Sequence, residues 1–271
     1  MKLEGNTIVI TGGSSGIGAG LALSLAKTGN KVIIAGRRAD RLAEVAAQAP
    51  GIATRVCDVA DEKQRADLVA WLAKEHPEAN VFVNNAGVQM SGNFMTGLDT
   101  TKMRAEIETN VVALFHLSDL ASRLVAGKPG AAIVNLSSGL AFAPLAFLPV
   151  YCATKAAVHS FTMSLRHQLR AKGVEVIEII PPAVDTELGH DRRAGSAPHA
   201  GSAPHAGSAP HAGSAPHAGS APRSHGGISV DEFVDEVMKG LAAGLPEIAV
   251  GMAVGLRANG EKAFEGMNSG R

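Results

Sequence analysis

Short apolar runs alternate along this chain with longer stretches in which apolar and small residues recur at helical spacing. The segments 7–11, 31–35, 52–57, 81–84, 131–136, 174–180 and 248–250 read as strands. Between them, 16–28, 40–49, 61–75, about 100–127, 150–172 and 231–243 read as helices. Asp61 suits a helix start, and Gly29, Gly51, Gly127 and Gly173 stand where helices stop. The strands are continuous Val/Ile runs, not alternations of apolar and polar residues. Strands of that kind are covered on both faces, which points to parallel pairing with crossover helices. The expected fold is α/β: a Rossmann-like, doubly wound parallel sheet of about seven strands with helices on both faces. A single domain spans residues 1–271.

One segment breaks the rhythm. Residues 194–217 are four copies of AGSAPH, and a fifth partial copy, 218-AGSAP-222, ends in Arg223. Ala, Gly, Ser and Pro bury too little apolar surface to offset the entropy of ordering the chain. The region 191–227 is therefore expected to be a flexible insert. His199, His205, His211 and His217 recur in it, but separated histidines on such a linker lack the preorganised geometry of a metal site.

Composition narrows the function classes. Lys plus Arg and Asp plus Glu both number 25, so no net basic field is offered to nucleic acid or an acidic membrane. Hydrophobic residues at 46% and charged residues at 18% fit a globular chain with a sizeable core. The N-terminus makes a poor signal peptide, and no apolar stretch is long enough to span a bilayer. Two cysteines, Cys57 and Cys152, do not make a disulfide framework, which suggests free thiols in a reducing, cytoplasmic setting.

The first strand runs into 11-TGGSSGIG-18 and then a helix. A glycine-rich turn feeding a helix N-terminus offers backbone N–H groups and the positive end of a dipole to a pyrophosphate. Gly12 permits the tight turn, and Gly16 and Gly18 allow close approach. The end of the second strand bears on the choice of nicotinamide cofactor. An acid there favours NAD, whereas this chain has Arg37 and Arg38, which suit a 2′-phosphate. NADP(H) is expected, with NAD(H) as the alternative. Asp58, after the third strand, reads either as an adenine contact or as a loop cap. After the fourth strand, 84-NNAG-87 suits a packed backbone crossing.

Tyr151 is the only tyrosine in the chain, and Lys155 stands one helical turn after it on the same face. A phenol with a pKa of about 10 is a poor base at neutral pH. A nearby ammonium favours the phenolate, and a fall of ~2–3 units corresponds to ~3–4 kcal/mol. Such a phenol exchanges protons with an alcohol or carbonyl oxygen. Ser138 follows the fifth strand and is suited to holding that oxygen, although Ser137 beside it offers the same group. Asn110 is a polar residue in an otherwise apolar helix and needs partners. The apolar segment 140–150, with Val88, Met90 and Phe94, suggests an apolar substrate pocket.

Together, T-G-x-x-x-G-x-G at 11–18, N-N-A-G at 84–87, Asn110, Ser138 and Y-x-x-x-K at 151–155 resemble the short-chain dehydrogenase/reductase family in its single-domain form of about 250 residues. The resemblance implies Tyr151 as general acid/base, Lys155 on the nicotinamide ribose, Ser138 on the substrate oxygen and Asn110 supporting a proton-relay water. It further implies that Gly12, Ser14, Ser15, Gly16, Ile17 and Gly18 line the pyrophosphate site. Arg37 would then meet the 2′-phosphate, with Arg38 beside it in the cofactor site, and Asp58 and Val59 the adenine. Asn85, Ala86 and Gly87 would line the cofactor middle, with Val184 and Thr186 near the carboxamide. In 181-PPAVDTE-187, Pro182 stands where the family usually has glycine, which puts the path of that loop in question.

By the same resemblance, the AGSAPH array falls in the substrate-lid region and the protein pairs as a homodimer or homotetramer. The expected activity is transfer of a hydride between NADP(H) and a carbonyl/alcohol carbon of a small apolar substrate. A non-catalytic NADP(H)-binding sensor or interaction protein on the same fold, or an enoyl reductase or epimerase variant, are the competing readings.

Overall fold

The structure is a computed structural model of the chain; it describes residues 2–188 and 227–269, so the repeat insert lies outside the described residues. Seven strands form one sheet: β1 (Thr7–Thr11), β2 (Lys31–Gly36), β3 (Ile52–Val56), β4 (Val81–Asn84), β5 (Ala132–Leu136), β6 (Glu175–Ile180) and β7 (Glu247–Ala249). Their order is β3-β2-β1-β4-β5-β6-β7, and every pairing is parallel. The order reverses between β1 and β4, the switch point at which such sheets open a crevice beyond their C-terminal ends.

Helices α1 (Gly16–Lys27), α2 (Ala39–Ala46), α3 (Glu62–Glu75), α4 (Thr100–Ile107), α5 (Ala113–Val125), α6 (Pro149–Leu169) and α7 (Val230–Ala242) cover the sheet. Strand alternation sorts the core into two layers. Ile8, Ile10, Val32, Ile34, Val81 and Val83 face a layer that holds Leu21, Leu25 and Phe233 of α1 and α7. Val9, Ile33 and Phe82 face the opposite layer, against Leu68, Leu117 and Leu165 of α3, α5 and α6. Truncating a wholly buried phenylalanine such as Phe82 or Phe233 to alanine costs about 3–5 kcal/mol. Caps fix several helix starts: Asp61 accepts from the Gln64 N–H, Asp99 from those of Thr101 and Lys102, and Ser229 from that of Glu232. Each is worth about 1 kcal/mol.

Two departures from the sequence reading matter for the site. The long helix expected over about 100–127 is interrupted by a π-helical turn, Glu108–Val112, between α4 and α5. Two further helices, α8 (Met252–Asn259) and α9 (Phe264–Asn268), follow β7. Glycines at 255, 260 and 266 had hidden their periodicity. Pro182 causes no break in the neighbouring ladder. The Ser137 N–H donates to the Ile179 carbonyl and that of Gly139 to the Pro181 carbonyl, so pairing between the ends of β5 and β6 finishes before a donor at 182 is needed.

Candidate active site

Thr11 ends β1 and locks the glycine-rich turn to the turn after β4. Its Oγ1 accepts from the Asn85 and Ala86 N–H groups at 3.1 and 3.2 Å. In return, Asn85 Nδ2 donates to the carbonyls of Thr11 and Gly12 at 2.8 and 3.2 Å. The two loops are packed so tightly that a Cβ on Gly12 would lie 2.8 Å from the Ala86 Cα, and one on Gly18 would lie 2.4 Å from the Gly12 carbonyl oxygen. Gly16, at φ +54°, sits against Thr186. The first turn of α1 carries no acidic residue, and its cap, Ser15, makes no side-chain bond to the helix backbone. A helix N-terminus with free N–H groups and a glycine-lined approach fits a dinucleotide pyrophosphate. Ile17 lies in that first turn, and Gly87 lies across the crevice, where its Cβ would come within 3.7 Å of Lys155 Nζ.

Arg37 and Arg38 follow β2 and are both exposed. Arg38 donates to Ser15 Oγ at 2.9 Å and, more distantly, to Ser14 Oγ at 3.5 Å, and it pairs with Glu187 at 3.0 Å. That hydrogen bond, and the charge behind it, hold Glu187 below the usual carboxylate range. Asp58 Oδ1 accepts from the Ala60 N–H, as a loop-capping aspartate does. Val59 is buried, and its carbonyl accepts from Arg65. Val184 bridges to Ile228, and Thr186 Oγ1 accepts from the Leu188 N–H.

Tyr151 and Lys155 stand in the first two turns of α6, which Pro149 opens at a position where no N–H is needed. Both are buried. Lys155 Nζ donates to the Leu136 carbonyl at 2.9 Å and lies 5.7 Å from the centre of the Tyr151 ring. The two adjacent serines separate cleanly. Ser137 donates to Glu178 beneath α6, whereas Ser138 stands at the mouth of β5 and accepts from the Leu140 N–H. Asn110 lies in the π turn and is buried. Its Oδ1 accepts from the Val88 N–H at 2.9 Å, and its Nδ2 donates to the Val88 carbonyl and to Thr154 Oγ1. It thus ties the segment after β4 to α6.

Burial pushes Lys155 down to about 8, while the charges of Glu106 and Glu178 act in the opposite direction. Glu106 is itself buried; burial raises it, against the Met90 N–H it accepts at 3.0 Å and the charge of Lys155. Sequence reasoning missed Glu106, Glu178 and His159. Their signal is a carboxylate one helical turn before Asn110, a carboxylate between two isoleucines of a strand, and a histidine one turn beyond Lys155. Cys57 is buried and pushed up to about 11 by that burial, which marks an unreactive thiol; Cys152 packs beside Leu148 and Tyr151. Among the described residues, no cluster of His, Cys, Asp or Glu could hold a metal ion, and no helix is long and apolar enough to cross a membrane.

The sequence pattern of the short chain dehydrogenases matches residues 6–197. The chain belongs to the short chain dehydrogenase family. Within this family it is 44% identical over 274 residues to the uncharacterised oxidoreductase DltE of Bacillus subtilis (strain 168), with 99% of each chain covered. It is 33% identical over 192 residues to sulfoacetaldehyde reductase 2 of Chromohalobacter salexigens, covering 69% of this chain and 76% of that one. Among solved structures, a short chain dehydrogenase from Burkholderia cenocepacia J2315 in complex with NADP superposes with a TM-score of 0.76 at 25% identity, over 96% of this chain and 94% of the other.

Proposed function

We propose that this short chain dehydrogenase is an NADP(H)-dependent oxidoreductase that interconverts a carbonyl and an alcohol on a small, apolar substrate. The observation that carries the reading is the convergence at one crevice of Tyr151, Lys155 and Ser138. The first two lie one turn apart on α6, and Ser138 lies at the mouth of β5, beside the Leu136 carbonyl that takes the lysine ammonium. The glycine-rich turn, the N-terminus of α1 and the 84–87 turn would hold the dinucleotide. A bound nicotinamide supplies the two-electron reducing equivalent. Tyr151 gives its phenolic proton to the substrate oxygen in reduction and takes it back in oxidation. Ser138 donates to that oxygen as charge develops on it. Lys155 stabilises the phenolate left on Tyr151. Asn110 keeps Val88 and Thr154 in place around them.

Arg37 and Arg38, with no acid beside them at the end of β2, support NADP(H) over NAD(H), and the Arg38 guanidinium beside Ser14 and Ser15 suits a phosphate. The NADP-bound neighbour and the sulfoacetaldehyde-reducing relative agree with this chemistry. The substrate wall is apolar: Leu140, Leu145, Phe147 and Leu148 pack around Tyr151. Self-association as a dimer or tetramer is part of the reading, because Ile107, Val112 and Met163 are apolar yet exposed on the α4, π-turn and α6 surfaces.

The test is an NADPH-oxidation screen over apolar ketones, aldehydes and quinones, run beside NADH, with Tyr151→Phe and Arg38→Ala. Turnover with NADPH that is lost in Tyr151→Phe is expected. Losing a charge-assisted contact worth about 1.5–3 kcal/mol weakens NADPH binding by Arg38→Ala roughly ten- to a hundredfold and leaves NADH binding alone. Turnover that survives in Tyr151→Phe refutes the assignment of the proton donor.

A further inference from the structure

Glu178 has no part in the chemistry above, and its position calls for one. It stands in the middle of β6 between Ile177 and Ile179 and is 0% exposed. A carboxylate in such a place costs several kcal/mol unless its lone pairs are used. They are used on two elements. Ser137 donates a short hydrogen bond to Oε1, and His159 Nδ1 lies 2.8 Å from Oε2 and 3.0 Å from Oε1.

Both partners are neighbours of the proposed catalytic groups. Ser137 stands between Leu136, whose carbonyl takes Lys155, and Ser138. His159 is one turn along α6 from Lys155 and two from Tyr151. Its ring is packed edge-on against Phe142, with 4.6 Å between centroids, just past the 3-10 turn that Ser138 caps. Glu178 is therefore the joint between the strand end that carries Ser138 and the helix that carries Tyr151 and Lys155.

We propose that Glu178 is a positioning residue of this active site, whose buried carboxylate fastens Ser137 to His159 and so holds the Leu136 carbonyl, the Ser138 hydroxyl and the Lys155 ammonium in one arrangement. The proposal rests on the catalytic reading of Tyr151 and Lys155 given above.

The joint also has an electrostatic side. The titratable and charged groups around it are Lys155, His159 and Arg166 from α6, Glu247 from β7 and Glu106 from α4. Arg166 donates to the Val176 carbonyl and pairs with Glu247, which Arg257 also holds. The directly opposed residue of β5 is Asn135, which is uncharged. Of the two carboxylates that favour a charged Lys155, Glu106 accepts from Met90 and only Glu178 is bonded to the strand end on which the lysine rests.

The experiment follows the side-chain amine of Lys155 by NMR through a pH titration of 15N-lysine-labelled protein, assigned with Lys155→Met. The wild type is compared with Glu178→Gln, which keeps the size and polar atoms of the side chain. The expected result is a Lys155 midpoint about one pH unit lower in Glu178→Gln. If a substrate is in hand, the alkaline limb of kcat moves down with it. Should Glu178→Gln not fold, Glu178→Asp carries the test: its carboxylate withdraws toward β6, and a smaller fall is expected. A Lys155 midpoint equal to the wild type's in whichever variant folds overturns the proposal, since a part that only supports the fold leaves that titration where it was. The readout needs no turnover. Failure of the NADPH screen therefore refutes the proposed function without touching this result, and an unmoved midpoint refutes the role of Glu178 without touching the proposed function.

Discussion

Holding a lysine at the bottom of a crevice makes the stability of the fold depend on pH in a way that can be isolated. Lys155 titrates near 10.5 when unperturbed, and burial brings it down to about 8 in the folded chain, a difference of 2.5 units. Each unit is 1.36 kcal/mol, so the folded state disfavours the protonated amine by ~3 kcal/mol relative to the unfolded chain. Below pH 8 both states carry the proton and the full penalty applies. Between pH 8 and 10.5 the unfolded chain binds more protons than the folded one, so stability rises with pH through that window. Above it, both states are neutral and the penalty is gone. Other groups add their own slopes, and Lys155→Met removes only this one. The measurement is urea unfolding of both proteins, without cofactor, at intervals from pH 7.5 to 10.5. The wild-type stability minus that of Lys155→Met should rise by ~3 kcal/mol across the window. Whether the variant is more or less stable at pH 7.5 does not enter, because loss of the cation also leaves Glu106 and Glu178 without their counter-charge. Parallel curves would refute the claim that the lysine is held charged at a cost, and with it the account of how the phenolate of Tyr151 is stabilised.

Two other perturbations read the cofactor side and the substrate side separately. Gly18→Ala places a methyl 2.4 Å from both the Gly12 carbonyl oxygen and Asn85 Nδ2, and the backbone oxygen cannot yield without moving the turn. A loss of about 1–3 kcal/mol in stability and at least a tenfold loss of NADPH affinity are expected, read by urea unfolding and fluorescence titration; wild-type affinity would contradict the packing argument. Asn268 of α9 donates to the Pro144 carbonyl and accepts from the Ala146 N–H, which pins the apolar segment before Tyr151. Asn268→Ala should raise the substrate KM about tenfold and leave NADPH affinity unchanged. An unchanged KM would mean that this segment is held by other contacts.

The sequence was most legible where local chemistry and fold agree. Continuous Val/Ile runs announced strands covered on both faces, and the turn glycines lie where side chains would collide. Of the two arginines after β2, Arg38 is joined to Ser15 at the glycine-rich turn. Legibility failed where the environment of a residue is made by distant segments. Ser137 and Ser138 are equivalent on paper, and only the arrival of β6 beside β5 gives one of them to Glu178. The C-terminal helices are held by distant segments: α8 packs on Gly139, where Ala253 and Leu256 leave no room for a side chain, and α9 is tied through Asn268 to Pro144 and Ala146.

The region around Asn110 shows why a polar residue that looks misplaced deserved a different reading. In 103-MRAEIETNVVAL-114, Glu106 and Asn110 stand one helical turn apart on the stripe that continues to Ala113 and Leu117, so a helix that packs this stripe inward buries both polar groups. The structure buries that stripe: Glu106 and Asn110 are each 1% exposed, while Ile107 and Val112 are 38% and 42% exposed. The π turn at 108–112 adds a residue to one turn and rotates the helix register, and such insertions recur at functional sites. Turning carboxylate and amide inward costs burial of two polar groups. Both are compensated, Glu106 by the Met90 N–H and Asn110 by Val88 and Thr154, and all these partners lie on the crevice side. Ile107 and Val112 lie off that stripe, on the outer surface. The π turn thus lies between the buried Glu106 and Asn110 and the surface proposed for self-association. Replacing Ile107 and Val112 with lysine should therefore be read by sedimentation and by NADPH affinity together. Dissociation with unchanged affinity is expected, because both side chains lie off the buried stripe; unchanged sedimentation would refute their place in a subunit interface.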